Sequence, residues 1–335
     1  MEIVSQVHAR NLVKLGENHP EVLVLTADLS ESCETGAFRD AYRERFVTCG
    51  VSEQNMLSIA GGLAREGFIP CVHTFGVFLY RRALDQIAMS IAYPNLPVKM
   101  FGFLPGIMTP GGATHQAIED VSVMRSLPNM TVLEVGDATE TESVLELAIS
   151  IRGPVYVRML RGEIPRLFPA SQPMLLDTPR VLADGTDVVV ISSGICTEEA
   201  LRATSALRAK GVSVGHAHVS TLKPFSPGVL APLIAGARYG VITMENHTVV
   251  GGLGSIVAEL MVEGGIHGKL VKLGLQDTFA HGASRSYLAR EYRIDAMALV
   301  EEVQRLVGRP SLVEAQDLAA VRVEIALSSA KAEAM

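Results

Sequence analysis

The stretch FVTCGVSEQNMLSIAGGLAREG (residues 46–67) opens on a β-prone run that ends at Gly50. It then passes into a segment with Met56, Ile59, Ala60 and Leu63 at helical spacing. A strand that hands the chain directly to a helix is half of a βα unit, and the same alternation recurs along the chain. Short apolar runs near residues 21–26, 45–49, 71–74, 98–103, 131–135 and 154–159 are separated by helical patterns. An α/β fold built on parallel sheets with crossover helices follows. The stretch RGEIPRLFPASQPMLLDTP (161–179) is rich in proline and poor in periodicity, which marks a boundary. A second α/β unit starts at DVVVISSG (187–194). It runs through VSVGHAHVS (212–220), YGVITME (239–245) and LVKLGL (270–275), and its final helix is DAMALVEEVQRLVG (295–308). The expected organisation is a first domain over 1–165, a linker over 166–180, a second domain over 181–310 and a helical or frayed tail over 311–335.

With 335 residues the chain has room for two α/β domains of ordinary size. Its formal net charge of -7, without a basic stripe, argues against nucleic-acid binding. Apolar residues make up 48% but are broken by charges and glycines well short of a membrane span. The start, MEIVSQVHARNLVKLGE, lacks the basic region and apolar core of a signal peptide, so a cytoplasmic location is expected. Cys33, Cys49, Cys71 and Cys196 form no CxxC pair, which suits reduced thiols better than a disulfide frame or a zinc site. The high apolar fraction favours a buried subunit interface.

Glu53 falls in the first helical turn, where a carboxylate also complements the helix dipole. Its neighbourhood argues for more than capping. GVSEQNM, TFGVF, DQI, AYPNLPVK, GGATHQAIED and RSLPNM occur in an order and spacing that resemble the pyrimidine-binding domain of transketolases, and MENHTVVGGLGSIVAEL (244–260) is similar to their carboxy-terminal domain. The GGLG glycines alone would be a weak signal. The resemblance covers about residues 1–310 and implies two parallel-sheet domains, a thiamine-diphosphate pyrimidine-binding domain followed by a transketolase carboxy-terminal domain.

The resemblance extends only to the carboxy-terminal half of a transketolase, since no GDG-type diphosphate motif is present. It therefore implies a split enzyme. An amino-terminal-type subunit would bind most of the cofactor's diphosphate and its Mg2+ (or Ca2+ or Mn2+), this chain would supply no metal ligand, and the assembly would be an α2β2 heterotetramer. The resemblance gives Glu53 the carboxyl that exchanges a proton with the cofactor's pyrimidine ring. It gives Phe75 and Phe78 the flat ring-binding wall and leaves Tyr80 and Arg81 as further candidates. His115 takes the place of a substrate-facing proton carrier, and Arg161 with the helper Ser32 takes that of a phosphate site. Arg158 reads as a strand-end ion pair, and Glu245, Asn246 and His247 as opening a structural, interface-forming turn toward Gly251, Gly252 and Gly254.

Departures from the family pattern bear on specificity. Gly111 stands where an Asp usually reads an acceptor hydroxyl, Phe103 where a His usually helps bind the sugar, and Ser5 near a missing arginine of the phosphate clamp. A wider, less polar pocket leaves an ordinary aldose phosphate with hydrogen bonds unmade. The expected function is thus transfer of a two-carbon ketol unit from a phosphorylated ketose, an unusual or branched one such as apulose 4-phosphate included. The alternatives are the beta subunit of a 2-oxo acid dehydrogenase-type enzyme, against which AYPNLPVK with THQAIED argues, and a non-catalytic homologue that binds a partner, against which the intact Glu53 argues. A dinucleotide-binding dehydrogenase would need a first βαβ fingerprint that is lacking.

Overall fold

Runs such as VLVLT (22–26) and VYVRM (155–159) lack the alternation of a half-exposed strand, and every residue in them is buried. Strands of this kind belong to parallel sheets with helices on both faces. The computed structural model describes residues 2–320. Its first half contains β1 (Ile3–Ser5), β2 (Val22–Thr26), β3 (Phe46–Thr48), β4 (Ile69–Phe75), β5 (Lys99–Phe103), β6 (Thr131–Glu134), β7 (Val155–Met159) and β8 (Glu163–Pro165). The second half adds β9 (Arg180–Ala183), β10 (Val188–Ser192), β11 (Val214–His218), β12 (Thr221–Lys223), β13 (Gly240–Thr248) and β14 (Leu270–Leu275).

In the first sheet, β6-β7-β5-β4-β2-β3 pair in parallel. In the second, β14-β13-β10-β11 do so, and β9 runs antiparallel along the edge. The α/β class with two parallel sheets is therefore as the sequence indicates. One short strand changes the topology at the junction. Within 212–220 the strand is β11, and just beyond it β12, which the sequence did not signal, crosses to pair antiparallel with β6. An edge of the first sheet is thereby covered by chain from the second unit, which hides amide groups that would otherwise invite a foreign strand.

The turn that Glu245, Asn246 and His247 were expected to open begins only after them, at 249–251. They lie inside β13, which runs on to Thr248 because its last residues are bonded across the junction. Thr248 N donates to Ile118 O at 2.8 Å, Ile107 N donates to Asn246 Oδ1 at 2.9 Å, and Asn246 Nδ2 donates to Pro105 O at 2.9 Å. Glu245 accepts from the amides of Leu253 and Gly254 at the start of the helix Leu253–Glu263, satisfying two donors that have no partner within that helix. Arg158, fully buried, donates to Asp120 and Glu134 and also to Asn246 O at 2.9 Å. Its ion pair is thus double, and its bond to Asn246 O joins the two units.

Cys33, Cys71 and Cys196 are buried, Cys49 is half-buried and all four are free. Burial pushes the Cys71 thiol up to about 12, the condition of an unreactive core thiol. The expected tail contains the helix Ala315–Ala320, and the rest of it, 321–335, lies outside the described residues. Among the described residues no helix is long and apolar enough to cross a membrane.

Candidate active site

Parallel strands present their carboxyl ends on one edge of the sheet, and loops leaving that edge form a crevice for ligands. The candidate residues all leave from this edge. Ser32 follows β2, Glu53 begins the helix Glu53–Arg65 after β3, and Phe78 lies in the helix Gly76–Asp85 after β4. The loop after β5 carries Gly111 and His115, and Arg161 follows β7. Phe75 is itself the last residue of β4.

Glu53 is only 3% exposed. Its carboxylate accepts a hydrogen bond from Arg82 Nη1 at 2.7 Å. The Arg82 guanidinium lies over the Phe78 ring, its central carbon 3.9 Å from the ring centroid. Phe78 and Phe75 are 5.7 Å apart between centroids, and the His115 imidazole stands edge-on to Phe78 at 5.3 Å. A buried carboxylate, two phenyl faces and an imidazole therefore converge in one continuous cluster. Thr114 Oγ1 lies 2.9 Å from His115 Nδ1 and helps fix the ring. Arg81 donates twice to Glu119 and once to Ala113 O at 2.9 Å, which ties down the loop bearing His115. Tyr80 is buried beneath.

The cluster continues toward Arg161 and Ser32. Arg161 Cζ is 5.8 Å from the Phe75 centroid, and Arg161 Nη1 donates to the backbone oxygen of Ser32 at 3.1 Å. Both residues line a cavity of about 320 Å³ that also includes Glu34, Thr109 and, from the second domain, Glu198 and Arg285. Burial lowers the proton affinity of Arg161, while Cys33 and Glu34 oppose the change. Burial raises the proton affinity of Glu34, and the Gly162 amide, which donates to its Oε1 at 2.7 Å, and the Arg161 charge oppose the change. A guanidinium at the wall of a half-dry cavity suits a terminal phosphate or similar anion of a small substrate.

Two departure positions sit elsewhere than on this lining. Phe103 has no exposed surface and packs edge-on against His8, with ring centroids 5.2 Å apart. Gly111 lies under His115, and a β-carbon there would come within 2.9 Å of His115 Cβ and Cγ. Glycine at 111 therefore makes room for the imidazole, a role in addition to leaving a hydroxyl unread. Sequence reasoning also missed Arg82 and the contribution of Glu198 and Arg285. An exposed-looking arginine in an RR pair gives no signal of its own, and the other two lie in the second unit, far along the chain from the motifs of the site.

The donor set fits the pyrimidine end of thiamine diphosphate, with a carboxyl beside a flat apolar wall. No group of three or more His, Cys, Asp or Glu side chains among the described residues could hold a metal ion. Residues 4–166 match the transketolase pyrimidine binding domain, and residues 178–299 match the transketolase C-terminal domain. An uncharacterized transketolase family protein from Sinorhizobium fredii is 37% identical over 88% of this chain and 86% of its own length. A 6-deoxy-6-sulfo-D-fructose transketolase subunit from a Clostridium species is 34% identical over 89% and 92%. A solved split-gene transketolase, described as an inactive beta4 tetramer, superimposes with a TM-score of 0.81 at 38% identity, covering 90% of this chain and 97% of that one. The chain belongs to the transketolase family and carries the pyrimidine-binding and carboxy-terminal domains of its split members.

Proposed function

We propose that this chain is one subunit of a thiamine-diphosphate-dependent transketolase that moves a two-carbon ketol unit from a phosphorylated ketose to an acceptor. The observation that carries this reading is the continuity from buried Glu53, through Phe78, Phe75 and His115, to Arg161 beside Ser32. When bound, thiamine diphosphate supplies the nucleophilic carbon that such chemistry requires. Glu53 holds and exchanges a proton with a pyrimidine ring nitrogen. Phe75 and Phe78 orient the ring by stacking and keep water from it. His115 carries a proton to and from the sugar oxygen as the carbon–carbon bond breaks and forms, and Arg161 with Ser32 anchors the distal phosphate.

The sulfonated sugar named for the Clostridium relative supports a substrate with an anionic far end. The lack of a carboxylate at Gly111 favours an unusual or branched ketose, apulose 4-phosphate among them. The diphosphate and Mg2+ would be held mainly by an amino-terminal-type partner in a cytoplasmic α2β2 assembly, a reading favoured by the inactivity of the beta-only tetramer.

Mixing is the test. This chain and an amino-terminal-type subunit are each expected to be inactive alone, and together to give ketol transfer that requires thiamine diphosphate and Mg2+, assayed against a panel of ketose phosphates. Tight, metal-dependent cofactor binding by this chain alone would contradict the division of labour, and transfer with no donor in the panel would contradict the activity.

Gly111 separates two effects. Gly111→Ala forces His115 to shift, so the assembled enzyme should lose turnover with every acceptor alike. Gly111→Asp should lose as much and also move the ratio of kcat/KM values toward ordinary aldose phosphates by about ten- to hundredfold, the worth of one charged hydrogen bond. An unchanged ratio would show that position 111 does not read the acceptor.

A further inference from the structure

Arg82 occupies the position that an aminopyrimidine would need. Its Nη1–H points at Glu53 Oε1 at 2.7 Å, and its flat guanidinium lies 3.9 Å from the centre of the Phe78 ring. A protonated aminopyrimidine offers the same two features, an N–H aimed at a carboxylate and a planar face for stacking. Glu53 is 3% exposed, so a second donor reaches it only if the first leaves. The Arg82 side chain is 44% exposed, which lets it withdraw into water at low cost. Its place in the chain also suits movement. It precedes Ala83, the one residue of the helix Gly76–Asp85 with non-helical backbone angles (φ -126, ψ 25), after which the chain continues as a π-helix over Gln86–Ala92. Such irregular turns inside helices gather at functional sites.

We infer that Arg82 is a placeholder that partners Glu53 and covers Phe78 in the free chain and withdraws when the aminopyrimidine arrives. An arginine suits this role better than a lysine, because only a planar, delocalised cation can bond the carboxylate and stack at once. Two consequences follow. The buried Glu53 carboxylate is never left without a partner before the cofactor binds. The isolated subunit also resists premature binding of pyrimidine, since each incoming ring must displace a charged hydrogen bond and a cation–π contact. The inference rests on reading Glu53 and Phe78 as the pyrimidine half-site.

The test uses the full-length chain and the probe 4-amino-5-hydroxymethyl-2-methylpyrimidine, with binding followed by calorimetry or saturation-transfer NMR. Arg82→Ala is expected to bind the probe about tenfold more tightly than the wild type, because the competitor is gone. Arg82→Lys, which keeps the charge but not the plane, should fall between the two. A merely structural arginine would give the opposite sign, weaker binding on removal. Adding Glu53→Gln to Arg82→Ala should abolish the gain. Equal binding by wild type and Arg82→Ala, with Glu53→Gln weakening both, would overturn the role of Arg82 and leave the half-site reading standing. Binding that ignores Glu53→Gln, or no binding in any variant, would overturn the half-site reading and the inference with it. Unfolding midpoints of the variants, measured alongside, identify any protein that has lost its fold, and Arg82→Lys then carries the comparison.

Discussion

Glu53→Gln is expected to keep the fold and to lose turnover by about a hundred- to ten-thousandfold, the range for removing a positioned proton-transfer group. The reason lies in what the amide can still do. Its oxygen accepts from Arg82 as the carboxylate does at 2.7 Å, so the pairing that fills the buried site survives. Its nitrogen cannot release a proton to a ring nitrogen and take it back, so the exchange that activates the cofactor stops. The measurement is ketol transfer by the assembled enzyme, with cofactor binding and the unfolding midpoint as controls. Binding should fall far less than turnover, since Phe75 and Phe78 remain. Glu53→Asp tests distance separately, because it keeps the acid and withdraws it by one methylene. Near-normal turnover in Glu53→Gln would take this residue out of the mechanism and return it to the bland role of a charge at a helix start.

Most of this candidate site was named by the resemblance to transketolases, whose motifs are short and local in the chain. Glu53 follows a strand by a few residues, Phe75 ends the next strand and Phe78 lies one helical turn on, so periodicity placed each on an element while the resemblance gave it its role. What escaped depended on distance. Arg82 acquires its role only when a helix brings it to a carboxylate 29 positions earlier, and β12 is three residues long, too short for any pattern. The role of Gly111 shows the same limit. Its sequence setting suggests a missing reader, and only the folded loop reveals that a β-carbon would press on His115. The turn that Glu245–His247 were expected to open starts only at Val249, because partners more than a hundred residues away extend β13 to Thr248.

Arg158→Met should produce the largest loss of stability among single substitutions at the domain junction. Arg158 and Asp120 have no exposed side-chain surface, and Glu134 is nearly as buried. Burial alone would lower the affinity of this guanidinium for its proton, and the two carboxylates more than reverse the effect. Asp120 also accepts from Tyr156 Oη at 2.6 Å, so one guanidinium organises two carboxylates, through one of them a phenol, and two backbone oxygens, those of Ala117 and Asn246. Methionine fills much of the volume but leaves two carboxylates buried without a cation. Removing one partner from a buried, hydrogen-bonded charge network costs about 3–5 kcal/mol, whereas replacing the whole set with apolar groups can be neutral. The loss should appear in urea unfolding, with the first and second domains unfolding less cooperatively because the bond to Asn246 O is gone. Arg158→Lys should recover part of the loss, since an ammonium neutralises charge but cannot reach all four acceptors. The triple replacement Arg158→Met, Asp120→Asn, Glu134→Gln separates the contributions. If it regains most of the stability lost in Arg158→Met, the cost was uncompensated charge; if it does not, the cost was the lost bridge between the domains. A wild-type unfolding profile for Arg158→Met would mean that the junction is held without it, by the Asn246 side-chain bonds, the Thr248 amide and the β12–β6 pairing.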